Sequence, residues 1–261
     1  MNNERCGRKL VAAIACRNQG ERLYGKPLQN LDVERRVRII DNVISCLETI
    51  SSIDEIVLGV SEGIENEIYQ EIAQRKNIRH VLGDPIDVLS RLVKCGEVSA
   101  ATDIFRVTSE SPFPLYDYVD RVWQRHVSES SDASFFDEAV DGCGFEIISL
   151  EALRDSHLNG EQRHRSELCT LYIRENFYKY KIVKADVPKN LIRKDLRLTV
   201  DNPEDLALCR VVFDVFRDRA PRIPVNEVIM FLDKNPELIK LTSKYTEIGY
   251  ATMYKWGHHE E

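Results

Sequence analysis

Arg17, Arg22 and Lys26 place three cations within ten residues, with Gly20 and Gly25 among them. They follow the first apolar run of the chain, Leu10-Val11-Ala12-Ala13-Ile14. A strand that runs straight into a glycine-bearing cationic loop is suited to holding a polyphosphate. Glycine lets the backbone approach an anion closely and turn its N–H groups toward it. Arginine adds forked hydrogen bonds to phosphate oxygens, and lysine adds a compact point charge. The same residues also read as a charged surface loop with a turn at Tyr24-Gly25. Neither GxxxxGK[ST] nor GxGxxG is present, so the loop is not a Walker or dinucleotide motif.

Two acids have matching positions. In open parallel sheets, ligands sit beyond the carboxyl ends of the strands, where strand order reverses. An expected strand over residues 103–108 leads to Glu110, and another over 196–200 leads to Asp201. Two carboxylates facing three cations suit a nucleoside triphosphate with Mg²⁺, which takes one or two carboxylates plus phosphate oxygens and water. Glu110 also reads as a loop residue before Pro112, and Asp201 as a helix cap. Capping and metal binding are compatible roles.

The elements that must position these groups alternate. Residues 37–50 carry apolar side chains at helical spacing, and 55–60 read as a buried strand. A helix over 65–75, a strand over 78–82 and a helix over 84–98 follow, the last opened by Asp84 and Pro85. After the strand at 103–108 comes a helix over 115–127. This alternation implies crossover units and a mostly parallel sheet flanked by helices. In the second half, strands are expected at 133–136, 144–148, 178–187 and 196–200, and helices at 151–156 and 167–176. Asp201-Asn202-Pro203-Glu204 opens a helix to about Arg217, with Asp201 or Asn202 as its cap. A helix over 225–232 and a short one from Asn235-Pro236 end the pattern.

Composition narrows the class. The 261 residues, 43% apolar and 30% charged, suit one α/β domain with a sizeable core. No apolar run approaches the roughly 20 residues a membrane span needs. The opening MNNERCGRK lacks a signal peptide's apolar core, so a cytoplasmic location is expected. The seven cysteines are odd in number and widely spaced, as reduced thiols would be. A net charge of −7 argues against nucleic acid as the partner, while leaving room for a local basic pocket around a small anion.

Taken together, the stretches ACRNQGERLYGKPL, DEIVLGVS, GDPIDVLSR, DIFRVTSESP, GFEIISLEAL, ELCTLYI and LRLTVDNPEDLAL resemble the spore-coat polysaccharide (SpsF-type) cytidylyltransferases. That family is related to the enzymes that activate Kdo and sialic acids with CTP. The likeness spans roughly residues 9–240 in order. The family's opening motif is close to ARxGSxRLPGKxL, whose positions are held here by Arg17, Arg22, Leu23, Gly25, Lys26 and Leu28. Its R-I-T-G-D-C-P loop matches Arg106-Val-Thr-Ser-Glu-Ser-Pro112, and its DxPEDL motif matches Asp201-Asn-Pro-Glu-Asp-Leu206.

The resemblance implies a nucleotide-diphospho-sugar transferase fold, similar to glycosyltransferase A. Residues 9–130 would form a nucleotide half, 131–240 an acceptor and dimerisation half, and 241–261 a tail. It implies Arg17, Gly20, Arg22, Lys26 and Arg106 around CTP, with Mg²⁺ on Glu110 and Asp201. Asp87 and Arg91 match a signature near the nucleotide; their plain reading is a helix-start acid and a surface arginine. Glu146 and Glu167 match acids of the acceptor half, and Arg165 is a candidate for holding an acidic sugar, in competition with Arg163 and His164. The implied reaction moves CMP from CTP to an acidic sugar or related polyol, releasing pyrophosphate, in a homodimer.

Four departures stand out: Tyr24 for proline, Gln19-Gly20 for Gly-Ser, the acid Glu21, and Ser109-Glu110 for Gly-Asp. The extra methylene of glutamate moves its oxygens by roughly 1.5 Å, and octahedral Mg²⁺ tolerates misplacement poorly. Two alternatives follow: a nucleotide-binding homologue without turnover, or a nucleotide-sugar-dependent glycosyltransferase. The second would call for an Asp-x-Asp metal motif, which Ser109-Glu110-Ser111 does not supply.

Overall fold

The computed structural model describes residues 7–252 apart from Glu21, with side chains through Thr246. Glu21 and Cys6 therefore lie outside the described residues. The chain begins with β1 (Leu10–Cys16), followed by a small hairpin of β2 (Asn30–Asp32) and β3 (Val37–Arg38). Then come α1 (Ile39–Leu47), β4 (Glu55–Ser61), α2 (Glu67–Lys76), β5 (Arg79–Gly83), α3 (Val88–Val98) and β6 (Asp103–Arg106). The second half adds α4 (Val119–Ser128), β7 (Ala133–Phe136), β8 (Phe145–Ser149), α5 (Leu150–Asn159), α6 (Leu171–Glu175) and β9 (Ile182–Lys184). Three helices close it: α7 (Pro203–Val215), α8 (Val225–Lys234) and α9 (Pro236–Thr252).

The main sheet has seven strands in the order β5-β4-β1-β6-β8-β7-β9. Within it, β8 runs antiparallel to both β6 and β7, and the other pairings are parallel. This is the expected mostly parallel, mixed sheet. Its centre is β1, whose alternate side chains feed two cores. Leu10, Ala12, Ile14 and Cys16 enter one, and Val11 and Ala13 the other. A strand covered on both faces has no polar side to show, which explains its unbroken apolar sequence. The chain leaves β1 for β4 on one side and returns as β6 on the other, so the strand order reverses between β1 and β6.

Several expected elements differ. Asp84 and Pro85 do not open α3. The Asp84 carboxylate accepts the N–H groups of Ile86 at 2.7 Å and Asp87 at 2.9 Å, which makes a turn. Asp87 is the cap, taking the Ser90 N–H at 2.8 Å. Residues 196–200 are not a sheet strand but an extended segment with a single bridge, Asp141 to Arg197. It is stitched to two loops, Leu198 N donating to Asp141 O at 2.8 Å and Val200 N to Glu110 O at 3.1 Å. The strand expected over 178–187 shrinks to β9, because among the described residues its one strand partner is the four-residue β7. The helix expected over 167–176 contracts to α6, leaving Glu167 in a loop. Finally, α9 is 17 residues long where a short helix was expected. Its inward face includes the buried Thr242 and Thr246, which make a faint apolar stripe. Among the described residues, no helix is long and apolar enough to cross a membrane.

Candidate nucleotide site

A cleft of about 680 Å³ opens at the carboxyl ends of β1 and β6. Its lining brings together Arg17, Arg22, Lys26, Arg91, Arg106 and Glu110 from the first half. Glu146, Glu167 and Asp201 join from the second.

The first loop is pinned from below. Asn18 is buried, its N–H donates to Asn66 Oδ1 at 2.8 Å, and its Oδ1 accepts the Tyr69 hydroxyl at 2.8 Å. Its carbonyl accepts the Gly25 N–H at 2.9 Å. Gly25 turns the chain at φ 58°, in the left-handed region that a side chain disfavours. At Gly20, a Cβ would meet the Leu23 carbonyl oxygen at 2.4 Å, so only glycine fits. The displaced glycine of this loop therefore has a steric reason of its own. Lys26 then starts a short 3-10 turn, with Pro27 at its first positions.

On one wall, Asp201 collects cations. Lys26 Nζ lies at 2.6 Å, Arg22 at 3.1 Å, and Arg197 donates as well. Burial alone would push the Asp201 carboxyl up; the Lys26 hydrogen bond and the charges of Lys26, Arg197 and Arg22 outweigh it and hold the group below the ordinary range. Asp201 is not the helix cap. Asn202 caps α7 in a reciprocal box with Asp205, whose carboxylate also takes the Asp201 N–H at 3.0 Å. The Asp201 side chain is thus free to face the cleft. Behind it, the buried Arg197 bonds Asp141 at 2.6 Å and Asp205 at 3.1 Å. Sequence reasoning missed Arg197; an arginine inside the apolar run Leu196–Val200 was the available signal.

Glu110 stands across from this cluster, with the Ser109 hydroxyl donating to it at 3.1 Å. Burial raises its carboxyl above the ordinary value; Lys26 pulls it back, while Asp201 and Glu167 add to the rise. A folded-state value above the unfolded one contributes stability at low pH that is lost as pH rises through the folded value. Glu110→Gln is therefore expected to raise the melting temperature at pH 7, the gain vanishing in acid below the unfolded value. Equal melting at pH 7 would show that Glu110 carries no such penalty.

The remaining candidates divide. Arg91 is buried rather than at the surface; it donates to the carbonyls of Cys16 at 3.1 Å and Gly59 at 3.0 Å, and its Nε has no hydrogen-bond partner. Asp87 does not line the cleft: it caps α3 and meets His157 Nε2 at 2.7 Å. Arg165 is also absent from the lining, and its guanidinium donates to the His157 carbonyl at 3.2 Å. Glu167 is exposed and pairs with Arg17. Arg106 donates to Glu146 at 2.7 Å and to the Glu167 carbonyl at 2.8 Å. Glu146 is fully enclosed, with Arg174 at 2.7 Å and the Thr170 hydroxyl at 2.8 Å. Burial would raise it, but Arg106 and Arg174 hold it below the ordinary range. Arg174 and its partner Asp137 were not foreseen.

The cleft lining holds no thiolate or imidazole among the described residues. The six described cysteines are free and buried, and burial raises the thiols of Cys16, Cys46, Cys95, Cys143, Cys169 and Cys209. Hard carboxylate oxygens on Glu110 and Asp201 fit Mg²⁺, which completes its shell with phosphate and water. No cluster of three or more metal-binding side chains assembles among the described residues.

No protein-family model matches the chain. It is 26% identical to the spore coat polysaccharide biosynthesis protein SpsF of Bacillus subtilis, over 87% of this chain and 95% of that one. A cytidylyltransferase from Leptospira borgpetersenii shares the fold at a TM-score of 0.80, with 19% identity over 89% of this chain and 97% of the other. A CMP:2-keto-3-deoxy-manno-octonic acid synthetase solved with CTP aligns at a TM-score of 0.59, with 14% identity over 79% and 99%. The chain has the nucleotide-diphospho-sugar transferase fold, and its likeness to the SpsF-type cytidylyltransferase family runs through both sequence and architecture.

Proposed function

We propose that the protein is a CTP-dependent nucleotidyltransferase that couples CMP to a hydroxylated sugar. One observation carries this reading: Arg17, Arg22 and Lys26 meet Glu110 and Asp201 in one cleft, at the point where strand order reverses. The similarity to SpsF and to cytidylyltransferase structures supports the choice of nucleotide. An acceptor hydroxyl attacks the α-phosphorus of CTP, a new P–O bond forms, the bond to the β-phosphate breaks, and pyrophosphate leaves. The hydroxyl proton is lost to solvent. Lys26, Arg22 and Arg17 exchange their carboxylate partners for phosphate oxygens and neutralise charge on the leaving group. Arg91 lies at the cleft floor with donor capacity to spare. When bound by Glu110 and Asp201, Mg²⁺ would supply Lewis-acid polarisation of the phosphoryl oxygens.

The acceptor is an acidic sugar or related polyol, used for surface glycan. In this reading Arg106, which the resemblance put beside CTP, instead meets the acceptor carboxylate, because it lines the cleft and Arg165 does not. The enzyme acts in the cytoplasm as a homodimer joined through the second half.

The test is CTP-dependent pyrophosphate release across a panel of acidic and neutral sugars. Turnover with CTP alone among the nucleotides is expected; turnover of an intact UDP- or GDP-sugar without CTP would replace this reading with a glycosyltransferase. The Ser109-Glu110 pair favours a second reading, a binder without turnover. An inactive parent that gains activity in Ser109→Gly with Glu110→Asp would establish it.

A further inference from the structure

A second groove shares no lining residue with the cleft. It encloses about 1050 Å³ between the β2–β3 hairpin, the first turns of α1, the end of α2 and the chain after α7. Six cations line it, namely Arg35, Arg36, Arg38, Arg75, Lys76 and Arg217, against only two acids, Asp32 and Asp41. On a chain of net charge −7 this is a local reversal of sign.

The two lining acids are each shared between two arginines. Asp41 is shared between Arg38 at 2.7 Å and Arg75 at 2.9 Å. Asp32 is buried beneath the hairpin, 3.5 Å from Arg217 and 3.9 Å from Arg35. Arg217 also pairs with Asp214 outside the groove lining, and its Nε atom, facing Asp32, makes no hydrogen bond within the described residues. Lys76 is held mainly by the Ser45 hydroxyl at 2.8 Å, with Glu48 at 3.9 Å. Arg36 is exposed at the hairpin tip and has no partner among the described residues. The nine-residue α1 also starts here, at Arg38, with no side-chain cap; the Ile39 N–H goes to the Gln29 carbonyl at 3.0 Å. A helix start without a side-chain cap adds a partial positive charge to the same space, offset in part by Asp41 in its first turn.

We propose that this groove is a second anion site, which binds a di- or oligophosphate group. A phosphate chain offers several oxygens to the forked donors of Arg35, Arg36, Arg38 and Arg75 at once, which a single carboxylate cannot do. The group is either free pyrophosphate or the phosphate tail of a nucleotide. The inference is independent of the chemistry assigned to the main cleft.

Calorimetric titration of the full chain with pyrophosphate tests it, in a Arg22→Ala, Lys26→Ala background that silences the cleft. One equivalent of pyrophosphate is expected to remain bound. Adding Arg36→Ala and Arg75→Ala is expected to weaken it at least about tenfold, and the lysine replacements at the same positions should restore part of the loss. Both side chains are exposed, so the fold should hold, as a melting curve would verify. A parallel titration with CTP separates the sources: binding of both ligands marks a nucleotide tail, and binding of pyrophosphate alone marks the free anion. No pyrophosphate binding in the cleft-silenced background, or an affinity unchanged by removing Arg36 and Arg75, would overturn the proposal.

Discussion

Lys26→Ala is expected to lower CTP-dependent turnover by about 10²–10³-fold, the usual effect of losing one charge-stabilising donor. Lys26 is the only lysine lining the cleft among the described residues, and it touches Asp201 at 2.6 Å. In the free protein it neutralises that carboxylate; on the proposed chemistry it meets the departing pyrophosphate. The fold should survive, because Asp201 keeps both Arg22 and Arg197 as partners. The effect should fall on kcat more than on KM, since charge on the leaving group grows toward the transition state. Near-normal turnover in Lys26→Ala would remove the residue from the mechanism.

The largest stability effect is expected from Arg174→Met. Arg174 is fully buried, with its guanidinium 3.9 Å from the Phe135 ring centre. It bonds Glu146 at 2.7 Å and Asp137 at 2.5 Å. Methionine retains much of the volume but takes Arg174 away from Asp137 and leaves Glu146 with Arg106 and the Thr170 hydroxyl. Breaking a buried pair by removing one member costs about 3–5 kcal/mol, because the remaining charge is stranded in a poor solvent. For a chain of this size the melting temperature should drop by roughly 6–20 °C. A drop of less than about 2 °C would mean that Asp137 and Glu146 find water or other partners. Since Glu146 holds Arg106 at the cleft, the variant should also weaken acceptor use more than nucleotide binding.

Where the sequence was legible, its signals were local. The apolar run Leu10–Ile14 announced a strand, though not its central place, and the alternation to about residue 130 predicted the crossovers. The cleft was legible at Arg17, Arg22, Lys26 and Glu110, since the carboxyl-end rule gathers strand-end residues without knowledge of side-chain packing, whereas Asp201 reaches the same rim from an extended segment that is not a sheet strand. It was illegible where partners come from afar. Asp87 and Arg91 share one sequence motif, yet the α3 cap holds Asp87 out of the cleft while Arg91 points under β1. Arg165 and Glu167 are near neighbours, but Arg165 turns toward His157 and Glu167 toward Arg17. Arg197 and Arg174 were missed because a buried arginine looks, in sequence, like a charged residue on an exposed face. The segment 196–200 has the residues of a strand, but its hydrogen bonds go to loops. The long α9 was hidden by threonines on its inner face.

Thermal unfolding shows whether the cleft is a working site for CTP. The protein would be melted with Mg²⁺ and each of CTP, UTP, GTP and ATP in turn. A ligand present at about 100 times its dissociation constant adds roughly 2.7 kcal/mol, enough to move the curve by several degrees. The shift with CTP is expected to exceed the other three and to require Mg²⁺. Absence of a shift with every nucleotide would contradict a CTP site, because the loop of Arg17, Arg22 and Lys26 would then hold no triphosphate.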